Sequence, residues 1–269
     1  MTTAIAAPFR FFPLHVVRTR RLGPSLVRVS FAGEDLRHFF SDGYDQSLSL
    51  FLPHPGQDAP AVPLELGDGW WQGWRELPDD VRAVMRSYTL RELRRDPDEV
   101  DIDFVLHTPA GPASAWAGRA RAGDRVLLLG PAVADNRAIR FRPPHDTDLV
   151  VLWGDETALP AIASILKSLP AGQRVRAWLE VGDPADAQDL VTAADAEITW
   201  LTGGTSLDAL RDARLPPTER PYVWIAGESG SVKALRRHFV RERGVDRRRV
   251  TFVGYWRQGM TEEQLRAAE

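Results

Sequence analysis

The chain has 269 residues, a formal net charge of −3, a hydrophobic fraction of 43% and no cysteine. The absence of cysteine excludes disulfides, thiolate nucleophiles, Cys-ligated zinc and iron–sulfur clusters, so any electron transfer must use a bound cofactor. The near-neutral charge does not fit nucleic-acid binding, and no apolar run is long enough to span a membrane. Residues 1–8 lack the charged start of a signal peptide. We therefore expect a soluble, cytoplasmic protein that acts on small molecules.

The first half of the chain consists of short β-rich segments separated by turn-forming residues, as at 22–25 and 95–98. Six strands at this spacing predict a small antiparallel barrel. Residues 53–80 interrupt it with a long excursion that carries three tryptophans and one predicted helical turn, and such long loops are often functional. The predicted strands are residues 14–20, 26–31, 48–52, 87–93, 100–107 and 125–129.

The second half alternates strands with helices, which predicts an open parallel sheet with right-handed crossovers. Two prolines at 143 and 144 mark a hinge, so residues 1–143 and 147–269 are predicted to be separate domains. A short terminal helix is predicted at 261–268, with Thr261 as its cap. The other predicted strands are 149–153, 175–181, 198–201, 222–226 and 250–253, and the other helices are 156–169, 207–212 and 232–244.

The stretch Arg86-Ser87-Tyr88-Thr89 begins a predicted strand just after the excursion. An arginine offers a charged fork for a phosphate or an electron-rich ring edge, and a tyrosine offers a flat face for an aromatic cofactor. Because alternate residues of a strand share a face, Arg86 and Tyr88 can meet one ligand together. An edge arginine beside a half-buried core tyrosine fits the same tetrapeptide.

A second candidate segment lies where the strand that ends at His107 gives way to a helix. Gly111 frees the backbone, Pro112 suits a first helical turn, and Ser114 supplies a hydroxyl. A helix N-terminus presents unpaired N–H groups and a partial positive charge, which suit a diphosphate. A capped surface helix with Trp116 as a core residue fits the same pattern.

Two strand-to-helix turns of the second half lie at the sheet edge where open α/β folds bind ligands. One runs from Gly154 through Asp155, and the other is Gly227-Glu228. Neither is the three-glycine fingerprint of dinucleotide-binding folds, and each also fits ordinary turn chemistry.

Acidic residues follow the second predicted strand of the α/β half, at Glu180 and Asp183. Acids at this position favour a ribose diol over a 2′-phosphate, and no arginine lies between Arg176 and Arg211. The pattern favours NADH over NADPH, but Asp183 fits a helix cap equally well.

The histidines offer no metal site, because all six are scattered without the close spacing of metal ligands. We therefore predict no metal. The six are His15, His38, His54, His107, His145 and His238.

Seven segments occur in an order that is far more specific than any one of them. They are Gly69-Trp70-Trp71 with Trp74, Arg86-Ser87-Tyr88-Thr89, Asp103-Phe104-Val105-Leu106-His107, Gly111-Pro112-Ala113-Ser114 with Trp116, Gly154-Asp155-Glu156-Thr157-Ala158-Leu159-Pro160, Ala226-Gly227-Glu228 and Gly254-Tyr255-Trp256-Arg257. Over residues 12–259 the chain thereby resembles the siderophore-interacting proteins, a branch of the ferredoxin-NADP reductase-like flavoproteins that includes ferric-siderophore reductases. The resemblance implies an N-terminal antiparallel β-barrel that binds FAD, followed by an open parallel α/β sheet that binds NADH or NADPH.

The resemblance also implies site residues. FAD would be bound by Arg86, Ser87, Tyr88, Thr89, Asp103, Val105, His107, Gly111, Pro112, Ala113, Ser114, Trp116, Thr157, Ala158, Glu228 and Trp256. The nicotinamide dinucleotide would be bound by Gly154, Asp155, Glu156, Glu180, Asp183 and Gly227. Redox chemistry would centre on the flavin, with no catalytic side chain predicted.

Two positions depart from the family pattern. The family carries basic residues after Asp45-Gln46 and after Gly130-Pro131, where this chain has Ser47, Ser49 and Ala132. In the family those cations attract anionic ferric siderophores. The departure leaves open a ferric-chelate reductase, a repurposed flavin enzyme for a neutral or cationic small organic substrate, and a flavin-binding role without turnover. The predicted substrate residues are Ser47, Ser49, Ala132 and Arg137, the last restoring positive charge from a nearby loop.

Overall fold

The computed structural model describes residues 8–134, 136–204, 206–261 and 264. The chain forms two compact units. Unit 1 ends at Ala138, and unit 2 comprises the residues from Ile139 onward together with two short pieces, Gly23–Ser25 and Gly43–Asp45. A functional domain boundary at 143–147 stays a prediction. The predicted terminal helix lies outside the described residues except for Thr261 and Gln264.

Unit 1 is built on one antiparallel sheet of seven strands that curls into a half-barrel. Its strands are β1 (Phe9–Arg21), β2 (Leu26–Ala32), β3 (Ser47–Leu52), β4 (Val84–Thr89), β5 (Glu92–Arg94), β6 (Glu99–Val105) and β7 (Arg125–Pro131). They are ordered β4-β3-β7-β1-β2-β6-β5 across the sheet. Alternation along β1 places Phe12, Leu14 and Val16 in the core, each 3% exposed or less.

The predicted strand at 87–93 was wrong, since the structure has two strands there. β4 pairs with β3, whereas β5 pairs with β6. The chain changes partner at Leu90 and Arg91: the Leu90 amide donates to Gln46 O at 2.9 Å and the Arg91 amide to Asp101 O at 2.9 Å. One continuous strand cannot satisfy both partners, so it breaks.

The excursion after β3 folds into two short helices rather than one turn. A 3-10 helix (Leu64–Gly69) leads into α1 (Trp70–Glu76), and α2 (Pro112–Arg119) follows β6. Trp74 is buried against Phe51 with ring centroids 6.2 Å apart, and its Nε1 donates to Ala83 O at 3.2 Å. The tryptophans therefore anchor the excursion to the sheet.

Unit 2 contains a five-stranded parallel sheet. Its strands are β8 (Leu149–Gly154), β9 (Arg174–Glu180), β10 (Asp195–Leu201), β11 (Pro221–Glu228) and β12 (Val250–Trp256), and its helices are α3 (Leu159–Ser168), α4 (Ser206–Asp212) and α5 (Ser229–Arg237). The strand order is β10-β9-β8-β11-β12. The chain therefore adds strands outward from β8 to β10 on one side, and then from β11 to β12 on the other. In doubly wound folds this change of side, between β8 and β11, is the topological switch point, where ligands bind.

Two predicted helices have different limits in the structure. The helix expected from 156 begins at Leu159, because Asp155 O accepts from the amides of Ala158 and Leu159 and holds a turn before it. The helix expected from 232 begins at Ser229 and gives way at His238 to a π turn, in which the Arg243 amide donates to His238 O at 3.0 Å.

Candidate functional site

Arg86 and Tyr88 share one face of β4, as the sequence predicts. Their register partners on β3 are Leu50 and Leu48, which are buried in the core of unit 1, so both side chains lie on the core side of the sheet. The Tyr88 ring packs on Phe104 with centroids 4.5 Å apart. The structure thus brings a guanidinium and an aromatic ring together in a half-buried position.

Ser87 and Thr89 lie on the opposite face of β4. Opposite them on β3 are Ser49 and Ser47, two of the predicted substrate residues. The Ser47 hydroxyl donates to Ala138 O at 3.1 Å. The strand pair therefore groups predicted cofactor and substrate residues at the polar end of one face, which becomes apolar at Phe51 and Met85.

The N-terminus of α2 is shaped by His107 and Ser114. The Ser114 hydroxyl accepts from the His107 amide at 3.1 Å, and His107 Nδ1 lies 2.6 Å from Pro109 O. Because a carbonyl only accepts, Nδ1 carries the proton, and Nε2 of the neutral ring can only accept. A Cβ on Gly111 would lie 3.5 Å from the imidazole, an ordinary contact distance, so the ring packs against the helix start but does not require glycine there. The unpaired backbone N–H groups and the positive end of the helix dipole fit the diphosphate of FAD.

Other predicted cofactor residues are built into the core of unit 1. Trp116 is 4% exposed and stacks on Phe31 with centroids 6.2 Å apart. Asp103 accepts a bidentate pair of hydrogen bonds from Arg28 at 2.6 and 2.8 Å. Val105 ends β6, and Ala113 is buried. These contacts are structural, and contact with a cofactor stays a prediction for each residue.

The switch point of unit 2 is organised by the Asp155 carboxylate, which is 8% exposed. Oδ1 accepts from the Thr157 amide at 2.9 Å and from the Thr157 hydroxyl. Oδ2 accepts from the Glu228 amide at 2.7 Å and from Trp256 Nε1 at 2.8 Å. One side chain therefore ties together the carboxyl ends of β8, β11 and β12.

Burial raises the pKa of Asp155 above its usual value, although the four donors oppose the shift. Gly227 has φ +140°, and a Cβ there would lie 2.4 Å from Asp155 Oδ2. Glycine at 227 therefore allows the Asp155 carboxylate to lie close to the backbone. Glycine at 154 allows close packing instead, since a Cβ there would lie 2.7 Å from the Ala158 side chain.

The Trp256 indole is held at the carboxyl edge of the sheet. Its Nε1 donates to Asp155, and its carbonyl accepts from the Ser229 hydroxyl at 2.9 Å. The ring is 41% exposed. A fixed, half-exposed aromatic face suits stacking on a planar ligand. Ala158, in contrast, is fully buried.

Glu156, Glu180 and Asp183 line the ends of β8 and β9. Glu156 Oε2 accepts from the Gly182 amide at 3.1 Å, and burial, followed by the charge of Asp155, raises the pKa of Glu156. The Asp183 carboxylate accepts from the Ala185 amide at 2.8 Å and caps a short 3-10 helix. The cap explains Asp183 locally, and dinucleotide contact stays a prediction.

Sequence reasoning missed a cationic cavity in unit 1. Its volume is about 550 Å³, and it contains Ala132, one of the predicted substrate positions. Its other lining residues are Arg10, Arg37, His38, Phe39, Phe40 and Arg95, with no acid among them. Ion pairs neutralise part of this charge: Asp35 lies 3.6 Å from Arg10 and 3.9 Å from Arg37, and Asp98 lies 2.7 Å from Arg95. The arginines are far apart in sequence, so no local motif reveals the cavity. Arg137, predicted to supply charge, is exposed and does not line it.

Two family profiles match successive parts of the chain. One, described as the siderophore-interacting FAD-binding domain, matches residues 15–135, and the other, described as siderophore-interacting protein, matches residues 147–259. The chain belongs to the siderophore-interacting protein family. It is a flavin-dependent oxidoreductase whose cofactors are FAD and NAD(P)H.

Relatives and solved structures of this family span nearly the whole chain. Ferric vibriobactin reductase ViuB of Vibrio cholerae is 30% identical and covers 94% of this chain and 93% of its own. The NADPH-dependent ferric-chelate reductase of Escherichia coli is 33% identical and covers 92% and 93%. The crystal structure of the siderophore-interacting protein SipS from Aeromonas hydrophila matches with a TM-score of 0.77, 32% identity and coverage of 97% and 96%.

A more distant neighbour shows the fold alone. The ferredoxin reductase of carbazole 1,9a-dioxygenase matches with a TM-score of 0.67 at 15% identity and covers 94% of this chain and 71% of its own. The two-domain architecture of the ferredoxin-NADP reductases, predicted from the sequence, is confirmed. Among the described residues, no helix is long and apolar enough to cross a membrane, and no cluster of His, Asp and Glu is suited to hold a metal ion.

Proposed function

We propose that this protein reduces ferric chelates at the expense of a nicotinamide dinucleotide. The observation that carries the proposal is the similarity, over more than nine-tenths of the chain, to two proteins named as ferric-chelate reductases. One NAD(P)H and two Fe(III) would give NAD(P)⁺, one proton and two Fe(II). FAD, when bound, supplies the conversion of a hydride into two single electrons.

The protein's own residues would bind and orient the reactants. Arg86 and Tyr88 would hold the flavin by charge and ring contact, and the first turn of α2, with His107 packed beside it, would hold its diphosphate. The carboxyl ends of β8 and β11, braced by Asp155, would receive the dinucleotide. Of these groups, those that would bind FAD all lie in unit 1, and those that would bind the dinucleotide all lie in unit 2.

The cationic cavity supports an anionic acceptor. Ala132 lacks a charge, but Arg10, Arg37 and Arg95 line the same cavity, and their paired acids, Asp35 and Asp98, leave one net positive charge before His38 is counted. Guanidinium groups bind carboxylate and catecholate oxygens well. Arginines from other parts of the fold would thus compensate for the missing basic residue at 132, which supports a ferric chelate over a neutral or cationic organic substrate.

Acceptors of different charge test the proposal. FAD-loaded protein would be given a nicotinamide dinucleotide and either ferric citrate, an anionic ferric tricatecholate or a neutral ferric trihydroxamate, with Fe(II) trapped by a coloured chelator. We expect the anionic chelates to have the lower KM. Arg10→Gln and Arg37→Gln should raise it by about tenfold, because each removes a cation from the cavity.

Arg20→Gln is the matched control, since Arg20 is exposed near the opposite end of β1 from Arg10 and does not line the cavity. Reduction of an artificial acceptor without reduction of any ferric chelate would contradict the proposal and favour a small organic substrate.

A further inference from the structure

Carboxylates gather where β8 and β9 end. Glu180 is the last residue of β9 and pairs in register with Leu201, the last residue of β10. Gly154, the last residue of β8, pairs with Leu179. Glu180 therefore lies just past the end of β8, at the position from which doubly wound folds contact the adenosine ribose of a dinucleotide.

The Glu180 carboxylate is fixed in place. The Ser206 hydroxyl, at the start of α4, donates to Oε2. A Cβ on Gly204 would lie 4.0 Å from Oε1, and a Cβ on Gly203 would meet no atom within 4 Å. Oε1 therefore faces a loop of two glycines, whose missing side chains leave space for a sugar.

The surroundings of Glu180 are anionic. Asp183 and Asp186 follow within six residues, and the charges of Glu180, Asp155 and Asp186 help burial to raise the pKa of Glu156. No lysine or arginine occurs between Arg176 and Arg211. Arg176 lies about 13 Å back along β9, and its Nε is 3.0 Å from Glu197.

This environment separates the two nicotinamide dinucleotides. A 2′,3′-diol donates hydrogen bonds to a carboxylate, whereas a 2′-phosphate brings close to two negative charges that need arginine or lysine. We propose that Glu180 determines dinucleotide specificity, so that this protein uses NADH in preference to NADPH. The proposal depends on one part of the proposed function, namely that unit 2 binds the dinucleotide that supplies the electrons. It would distinguish this chain from the E. coli relative that is named as NADPH-dependent.

Binding of two fragments tests the proposal without flavin or iron. Calorimetric titration with ADP-ribose and with 2′-phospho-ADP-ribose should show ADP-ribose binding roughly 10- to 100-fold more tightly. Glu180→Gln keeps an acceptor for Ser206 but removes the charge, so the ratio of the two dissociation constants should shrink by about fivefold or more. Glu197→Gln makes the same charge change on β10 beside Arg176 and should leave both affinities unchanged.

Equal affinities, tighter binding of the phosphorylated fragment, or binding of neither fragment would overturn the proposal. If Glu180→Gln fails to fold, the native protein still decides, because added salt should screen the repulsion and narrow the ratio. A ratio independent of salt would then count against an electrostatic origin. Preference for ADP-ribose in a protein that reduces no ferric chelate would retain this proposal and end the proposed function.

Discussion

Asp155 shows how much one buried carboxylate organises in unit 2. It accepts from Thr157, Glu228 and Trp256, and it requires that residue 227 have no side chain. The sequence places Asp155 after a buried strand and so predicts its edge position. Its four donors come from three separate segments, which no local pattern reveals.

Gly227→Ala should destabilise the protein much more than Gly172→Ala. Both glycines have positive φ, +140° and +79°, but a Cβ at 227 would meet the Asp155 carboxylate at 2.4 Å, whereas a Cβ at 172 meets no atom within 4 Å. We expect a loss of about 1 kcal/mol at 172 from backbone strain alone and about 3 kcal/mol or more at 227. Urea unfolding measures both losses, and similar values would refute the role given to Asp155.

Arg86→Ala and Tyr88→Ala should weaken FAD binding. Both side chains lie half-buried on one face of β4, so each removal deletes a charge or a ring contact worth about 1–2 kcal/mol, or roughly a tenfold rise in the dissociation constant. Quenching of flavin fluorescence on titration gives the constant. Arg20→Ala, exposed on β1, is the control, and unchanged affinity in both site variants would remove them from the flavin site.

Some features of the site could be predicted from the sequence, whereas others could not. The common face of Arg86 and Tyr88 follows from strand alternation and is confirmed. The arginines of the cavity and the Ser206 contact to Glu180 join positions that are tens of residues apart. Such contacts depend on strand order, and a single sequence does not contain it.

Strand β6 carries acids on a buried face. Glu99, Asp101 and Asp103 alternate along it, each 7% exposed or less. Cationic and polar partners on β1, β2 and β5 satisfy them: Arg18 and Arg94 bind Glu99, Arg94 and Ser30 bind Asp101, and Arg28 binds Asp103. This ladder fastens β1, β2 and β5 to β6.

Arg94→Ala should lower the free energy of unfolding by about 3 kcal/mol. Arg94 bonds Asp101 at 2.6 Å and Glu99 at 2.8 Å, and its removal leaves two buried carboxylates with less compensation. Chemical denaturation measures the change. Arg248→Ala, which breaks an ion pair with Asp246 on the exposed surface, should leave stability unchanged within error. A loss at Arg94 no larger than at Arg248 would contradict the ladder.

The same ladder predicts a pH dependence. The hydrogen bond from Arg18 lowers the pKa of Glu99 despite burial, and burial would raise the pKa of Asp101 but hydrogen bonds from Arg94 and Ser30 outweigh it. The unfolded chain therefore takes up protons first as pH falls. The stabilisation is complete above the ordinary carboxyl pKa of about 4 and is lost as pH falls from there towards the lower folded-state values.

Unfolding of the Glu99→Gln/Asp101→Asn double variant measures this contribution. The variant should be less stable than the wild type near pH 7 but should lose less stability between about pH 5 and pH 3, because neither position still titrates. Parallel pH profiles for the two proteins would show that these carboxylates do not drive the acid dependence.

Element limits were predictable where local signals decide them. Most strands lie within a few residues of their prediction because hydrophobic and turn residues mark them. The break between β4 and β5 and the π turn after α5 could not be predicted, because each depends on residues that are distant in sequence. The break depends on Gln46 and Asp101, and the π turn on Leu210 and Ala213, which accept hydrogen bonds from Arg243.

For the molecule as a whole, the lack of cysteine leaves bound cofactors as the redox groups of the chain. Each unit carries features suited to one cofactor: unit 1 the β4 face and the start of α2, and unit 2 a switch point edged with carboxylates. The family assignment rests on both units, since its two profiles cover one half of the chain each.

The proposed electron path runs from NADH through bound FAD to a ferric chelate, and anaerobic rapid mixing follows both transfers. FAD-loaded protein mixed with one equivalent of NADH should lose its visible flavin absorbance. Addition of ferric citrate should then restore the absorbance and release two Fe(II) for each NADH consumed. A flavin that stays oxidised with NADH, or a reduced flavin that the ferric chelate does not reoxidise, would rule out this electron path.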